Sequence, residues 1–294
     1  IPVSLGVNGS IATWPAFVFV VGLILCSFFV IRQVRGGLFI GIVITTIIAM
    51  IIQAFTGSED WGMATPEVPS SLGGLPDLSI VGQVDPISAF TKLGVVSTVL
   101  LIFTLLLTNF FDAMGTMNGL GKQANLVDEK GNLPDMKTAL VVEGFGAVAG
   151  GAGSVSSNTV FADSAAGIGD GARTRLANVV TGVIFLLAMF LTPLYEIVPI
   201  EAAAPVLVIV GVMMAAQLKD IEWNRMEEAI PAFLTIVVMP FTYSIANGIG
   251  VGFIAYALMA TFAGKAKKVH WIMWLVAALF VVSFAMEPIS SLLA

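Results

Sequence analysis

The sequence predicts an all-α membrane protein from its composition, its long apolar blocks and the positions of its basic residues. Hydrophobic residues make up 57% of the chain and charged residues 11%, whereas a soluble domain carries about a quarter charged residues. The 13 Lys and Arg and 19 Asp and Glu are too few to cover a soluble chain of 294 residues with a polar surface. The lipid bilayer is therefore the predicted solvent.

Nine apolar blocks predict the helices. Five of them are close to the roughly 20 residues that a helix needs to cross a bilayer: 14–31, 38–54, 95–111, 176–194 and 271–286. Four shorter blocks contain Gly or Pro or are bounded by them: 139–152, 203–216, 230–245 and 249–262. The last two predict a pair of short helices hinged near Asn247 and Gly248.

The basic residues order the crossings, because Lys and Arg collect on the cytoplasmic side of membrane proteins. They follow alternate blocks: Arg32, Arg35, Lys122, Lys130, Lys137, Arg173, Arg175, Lys219, Arg225, Lys265, Lys267 and Lys268. If all of these residues lie on the cytoplasmic side, the acidic loop 56–94, which contains Glu59, lies on the opposite side of the membrane. The same arrangement requires the stretch 153–170 to cross the membrane. The block 271–286 is left open, as an outward span or a re-entrant helix.

The composition also excludes several partners. The net charge is −6 and most acidic residues lie in predicted loops, so nucleic acid is not expected to bind. Cys26 is the only cysteine, which excludes an intrachain disulfide and a cysteine metal cluster. We expect no cofactor and no metal site.

Three acidic residues are predicted to lie at membrane depth, where an ionisable group is costly and marks a functional site. Asp112 ends the third block, Glu143 lies in the next helix and Asp163 lies in the stretch 153–170. Each also has a structural alternative. Asp112 could cap a helix end at the interface, Glu143 could be a hydrogen-bonded support, and Asp163 could be an N-cap.

The stretch 153–170 is too polar for a helix that faces lipid. Irregular backbone at membrane depth is tolerated only where protein or a cavity covers it. A short extended strand over about 154–159, followed by a half-helix from about Ala162, meets that requirement, and such half-helix starts form the binding sites of many transporters. The positive end of the helix favours anionic Asp163, and Asp112 would approach from the neighbouring helix. Two carboxylates suit a ligand rich in N–H donors, and one of them could bind a proton.

Three passages carry a resemblance to a known family. Residues 111–116 resemble an Asp-x-x-Gly-Thr signature on an eighth helix, and 159–167 resemble a Thr-Thr-x-x-Glu-Ser-Ala-x-Gly run on a tenth. Residues 227–248 match the hinge region that follows. The chain thus resembles the nucleobase:cation symporters of the xanthine/uracil permease superfamily, specifically the AzgA-like branch that carries hypoxanthine, guanine or adenine. The Gln-Asn or Glu-Asn pair of the xanthine and uracil branches is absent at Asp163 and Ser164.

The resemblance implies a fold of fourteen segments in two inverted repeats, divided into a core domain and a gate domain. The chain would correspond to about segments six to fourteen of a longer protein. Its predicted parts are gate helices at 1–55, an extracellular or periplasmic loop at 56–94, core helices with the broken segment 153–170 at 95–195, and gate helices at 196–294.

The resemblance further implies a multi-pass protein of the bacterial inner membrane that imports a purine base by symport with a proton or another cation. A homodimer is an open option. The implied substrate-binding residues are Asp112, Thr116, Asn158, Thr159, Phe161, Asp163 and Ser164, with Asp112 and Asp163 as candidates for proton coupling and Glu143 as a structural support. Asp163 departs from the family, which has the longer Glu at that position.

Other functions compete with this interpretation. A carrier of the same fold could move xanthine, uracil or a sulfate-type anion, although paired acids disfavour an anion. An intramembrane enzyme lacks support, because no His cluster, Ser-Lys pair or metal-ligand spacing lies at membrane depth. A purely structural bundle would not need the costly polar segment.

Overall fold

The computed structural model describes residues 10–57, 60–62, 64–69, 71–85, 87–129 and 131–293, and for 286–293 the backbone alone. Glu59 and Lys130, which entered the charge pattern, lie outside the described residues. Twelve α-helices follow one another in the described part of the chain: α1 (Trp14–Ile31), α2 (Gly37–Thr56), α3 (Ser88–Leu93), α4 (Val95–Gln123), α5 (Met136–Ala152), α6 (Ser164–Gly169), α7 (Arg175–Ala188), α8 (Thr192–Tyr195), α9 (Ile200–Ala215), α10 (Met226–Thr242), α11 (Ile245–Phe262) and α12 (Trp271–Leu293).

The predicted all-α membrane class is confirmed, since every predicted apolar block forms a helix. Six helical stretches of the described chain are long and apolar enough to cross a membrane: Trp14–Ile31, Gly37–Thr56, Val95–Gln123, Arg175–Tyr195, Ile200–Asp220 and Ile245–Phe262. The stretch Arg175–Tyr195 shows the need for a bilayer most directly. None of its most apolar window is buried, so only lipid or further protein can cover it.

Helix α4 is longer than the sequence predicts. The third block was predicted to end at 111, but the helix continues to Gln123. The prediction was wrong because the apolar residues become sparser after 111 without losing their helical spacing: Ala113, Met117 and Leu120 are all buried. The true turn follows, where the Asp128 carboxylate accepts a hydrogen bond from the Asn132 backbone N–H at 2.8 Å.

The chain divides into two compact units. We name the first the cavity unit; it comprises Ser4–Gln83 and Gly115–Ala216, with α1, α2, the second part of α4 and α5 to α9. The second, the hairpin unit, comprises Val84–Met114 and Gln217–Ala294, with α3, the first part of α4 and α10 to α12. The core and gate domains implied by the resemblance stay a prediction.

In the hairpin unit, α10 and α11 form a tight antiparallel pair. The chain turns at Tyr243, whose φ is 52°, and the Ser244 hydroxyl caps α11 by accepting from the Asn247 backbone N–H at 3.2 Å. The predicted hinge near Asn247 and Gly248 was therefore a few residues too late, because the break lies where Ser244 can cap the next helix. Gly248 and Gly252 let α11 approach α10, since a Cβ at either would overlap the Met239 or Thr235 side chain.

Ion pairs close the open end of this hairpin. Glu227 binds Arg225 at 3.0 Å and also pairs with Lys265, 38 residues further along the chain. Arg225 and Lys265 therefore lie at the same end of the helix pair. This agrees with the charge pattern, which places both basic groups on one side of the membrane.

In the cavity unit, α1, α2 and α9 pack through small residues. A Cβ on Gly22 would lie 2.9 Å from the Thr45 side chain and 3.0 Å from Pro205. Trp61, after α2, packs with Val18 and Ala49 and donates its indole N–H to Gln53 at 2.6 Å. These contacts hold α1, α2 and α9 together.

Candidate functional site

The broken segment begins with a sharp reversal at the end of α5. Ser154 has a φ of 56°, and the N–H groups of Ser154 and Val155 bind the carbonyls of Gly151 at 3.1 Å and Gly150 at 3.0 Å. This pair of hydrogen bonds is the Schellman closure, in which a left-handed residue turns the chain back over the last turn of a helix. The segment that follows therefore runs back along α5.

Two glycines on α5 form the surface on which the segment lies. A Cβ on Gly150 would lie 2.5 Å from the Ser156 carbonyl oxygen, and one on Gly146 would lie 2.8 Å from the Asn158 carbonyl oxygen. The short strand predicted over about 154–159 was wrong: 156–161 lies outside any helix, and these residues pair with no neighbouring strand. A helix surface offers no ladder of hydrogen bonds, so the segment is irregular rather than a β-strand.

The half-helix after the segment is short. Ala162 and Asp163 form a turn, and α6 covers only Ser164–Gly169. Ala165 is fully buried against Leu120 and Val210. The Gln123 side-chain amide donates to the Ala165 carbonyl at 2.9 Å, which ties the start of α6 to the end of α4.

Asp163 stands at the N-cap position of α6 but does not cap it. Its side chain makes no capping hydrogen bond, and the residue is exposed. The structural alternative of a plain N-cap is therefore not the arrangement in this structure. The carboxylate is free to accept hydrogen bonds from a ligand.

A cavity of about 840 Å³ lies beside the segment, within the cavity unit. Its lining comes from the end of α4, the turn that follows, α5, α6 and 158–160 of the segment. Most of the lining is apolar. Two oxygen atoms in it are buried and have no hydrogen-bond partner, the Glu143 Oε1 and the Thr159 Oγ1.

The structure brings some of the predicted site residues to this cavity and leaves others outside it. Asn158, Thr159 and Glu143 line it. Among the remaining predicted residues of the cavity unit, Thr116 is half-buried on α4, and three residues are exposed beyond the lining: Phe161, Asp163 and Ser164.

Asp112 belongs to the hairpin unit, where it is exposed on α4. Because α4 continues for three more turns, Asp112 cannot be the helix cap that was one of its alternatives. The predicted approach of Asp112 to Asp163 stays a prediction.

Sequence reasoning missed two features of the site. One is the track formed by Gly146 and Gly150, which the sequence shows only as glycines suited to close packing. The other is the position of Glu143 along α5. The helix begins at Met136 instead of near 139, so Glu143 lies at its middle and not in its first turns. The spacing of Glu143, Gly146 and Gly150 at i, i+3 and i+7 was a readable signal, since such residues share one helix face.

Comparison with known proteins identifies the family. The sequence model Xan_ur_permease, described as "Permease family", matches residues 4–251. The chain belongs to the xanthine/uracil permease family. This match confirms the resemblance drawn from the three sequence passages, and it decides against the intramembrane enzyme. Together with the six apolar helices, it makes the chain part of a multi-pass protein of the cell membrane.

Individual relatives cover most of this permease chain. The guanine/hypoxanthine permease PbuG of Bacillus subtilis is 36% identical over 96% of the chain, and the adenine permease AdeP of Escherichia coli is 34% identical over 93%. The guanine/hypoxanthine permease PbuO of Bacillus subtilis is 34% identical over 88%. The matched part spans 62%, 58% and 58% of these relatives, in that order.

Proposed function

We propose that the complete permease containing this chain imports purine nucleobases, and that a proton moves with each base. The observation that carries the proposal is the broken segment, which presents the exposed Asn158 amide and the unpartnered Thr159 hydroxyl at a cavity. Irregular backbone in that position is how membrane carriers form a substrate site. Import by symport and the homodimer stay predictions.

The choice of purines is supported by the relatives. Two of them are named for guanine and hypoxanthine and one for adenine, and each is similar over most of this chain. A purine presents N–H donors on its edge and a flat aromatic face. Carboxylate and amide oxygens suit that edge, and an aromatic ring suits that face.

The segment offers both kinds of group. The Asp163 carboxylate is uncapped and exposed, so it can accept from the N–H edge of the base, with Asp112 as the predicted second acceptor. Phe161 is 59% exposed two residues earlier, which leaves its ring available for stacking. Thr116 and Ser164 are proposed to complete the polar contacts.

The test is uptake of radiolabelled hypoxanthine and adenine by cells that produce the complete protein. We expect Asp163→Ala to reduce uptake by about tenfold to a hundredfold, since a hydrogen bond to a charged group contributes about 1.5–3 kcal/mol. Glu129→Ala is the matched control, because it removes an exposed carboxylate from the loop after α4. Undiminished uptake in Asp163→Ala would refute the site assignment.

Competition by unlabelled compounds in the same assay tests which solute the carrier moves. Unlabelled hypoxanthine, guanine and adenine should inhibit uptake, whereas sulfate, xanthine and uracil should not. Inhibition by sulfate alone would favour the anion carrier instead. Asp163→Glu restores the residue of the related family, and we expect it to change the order of preference among purines because it moves the carboxylate by about an ångström.

A further inference from the structure

Glu143 is the most deeply buried acidic group at the cavity. It lies in the middle of α5, its side chain is 8% exposed, and its Oε1 has no hydrogen-bond partner. No cationic side chain of the described residues pairs with it. A buried carboxylate with no partner is costly as an anion, and a proton or a bound cation would remove that cost.

The spacing of the segment along α5 indicates that a second unsatisfied oxygen lies at about the level of Glu143. Ser156 faces Gly150 and Asn158 faces Gly146, so two residues of the segment advance for every four residues of the helix, a distance of roughly 6 Å. The next step along the same face brings Thr159 and Val160 level with Glu143. The Thr159 hydroxyl is buried there without a partner, and both residues line the same cavity.

The surroundings favour a proton over a metal cation. A cation such as Na⁺ is held in carriers by unwound backbone carbonyls, but the carbonyls of Ser156 and Asn158 lie against Gly150 and Gly146 instead. Among the described residues, no cluster of three or more His, Cys, Asp or Glu side chains could hold a metal. A proton needs only the carboxylate, and the Thr159 hydroxyl is a second polar group in the lining of the same cavity.

Few other charged groups face Glu143. Asp135, at the start of α5, is the other titratable residue that lines the cavity, and it is about 12 Å away along the helix. Lys122 on α4 already has an interaction of its own, and Asp170 after α6 accepts a hydrogen bond from the Gly36 backbone at 2.9 Å. Asp163 does not line the cavity.

We infer that Glu143, assisted by Thr159, is the group that binds the coupling proton, which leaves Asp112 and Asp163 to bind the base. The inference rests on the proposed function, because it names the coupling site of the same carrier. It changes the role of Glu143 from a structural support to a proton-binding group.

The test separates exchange from accumulation in vesicles that contain the complete purified permease. With one proton per base, an inward gradient of about one pH unit supports up to roughly tenfold accumulation of labelled hypoxanthine. Glu143→Gln imitates the protonated form permanently. We expect this variant to retain exchange of labelled for unlabelled base at equal pH. With the inward pH gradient, it should raise the internal concentration of labelled hypoxanthine only to about the external concentration.

The controls distinguish coupling from structure. Glu143→Asp should restore part of the accumulation, Thr159→Val should weaken it, and Glu129→Gln in the exposed loop should behave as the unmodified protein. Accumulation by Glu143→Gln at the unmodified level would overturn the inference. Equal loss of exchange and accumulation would also overturn it, as would accumulation driven by a Na⁺ gradient and not by a pH gradient.

A second measurement does not depend on the substrate. Infrared difference spectra between acidic and alkaline buffer should contain a carboxylic acid band that is missing in Glu143→Gln and present in Glu129→Gln. Should the unmodified protein carry no purine, the proposed function would fail while this band still tested Glu143. An unchanged band in Glu143→Gln would show that Glu143 does not titrate.

Discussion

Gly150→Ala is expected to abolish the proposed purine uptake, although the change adds a single methyl group. The new Cβ would lie 2.5 Å from the Ser156 carbonyl oxygen and 3.2 Å from the carbonyl carbon. These are backbone atoms, which cannot move aside as the end of a flexible side chain can. The segment must lift off α5, so Thr159 and the residues up to Asp163 leave their positions.

Gly151→Ala is the matched control, one residue further along the same helix. Nothing lies within 4 Å of a Cβ at that position, and alanine is a better helix former than glycine by about 1 kcal/mol. The measurement is initial uptake of labelled hypoxanthine, normalised to the amount of each variant in the membrane. We expect Gly151→Ala to transport normally; equal activity of the two variants would contradict the packing of the segment on α5.

Gly252→Ala is expected to destabilise the hairpin unit by about 1–3 kcal/mol, the usual cost of overpacking a fitted interface. Its Cβ would overlap the Thr235 hydroxyl, which is fixed by donating to the Pro231 carbonyl at 2.8 Å. Thermal unfolding of the purified permease measures the effect. Gly182→Ala on α7 is the control, since a Cβ there meets nothing within 4 Å.

A double variant makes the same prediction sharper. Thr235→Ala removes the overlapping oxygen, so it should recover much of the stability lost in Gly252→Ala, and the two effects should not add. Additive losses would mean that the two residues do not meet across α10 and α11.

The sequence located the helices well, because the bilayer imposes a length and a hydropathy that can be counted. It misplaced ends wherever the signal was polar. Because Asp112 is charged, the sequence predicted that α4 ends at 111. Ala113 and Met117 nevertheless continue the buried face of the helix. The turn between α10 and α11 was placed at Gly248, whereas the glycine serves packing and the turn is made by Tyr243 and Ser244.

The candidate site was found in the sequence by a conflict, since the segment after α5 had to cross the membrane but was too polar for lipid. That conflict identified Asn158, Thr159 and Asp163. It could not rank the acidic groups, because their burial depends on tertiary packing. In the structure Asp163 is exposed and Glu143 is buried.

Where the segment lies on α5, the carbonyl oxygens of the segment contact the backbone of the α5 glycines. The exposed Asn158 side chain therefore does not hold the segment in place on that face. Substitutions there can change which groups point at a solute while the path of the chain stays the same. Related carriers with different solutes could thus share one backbone and differ in only a few side chains along it.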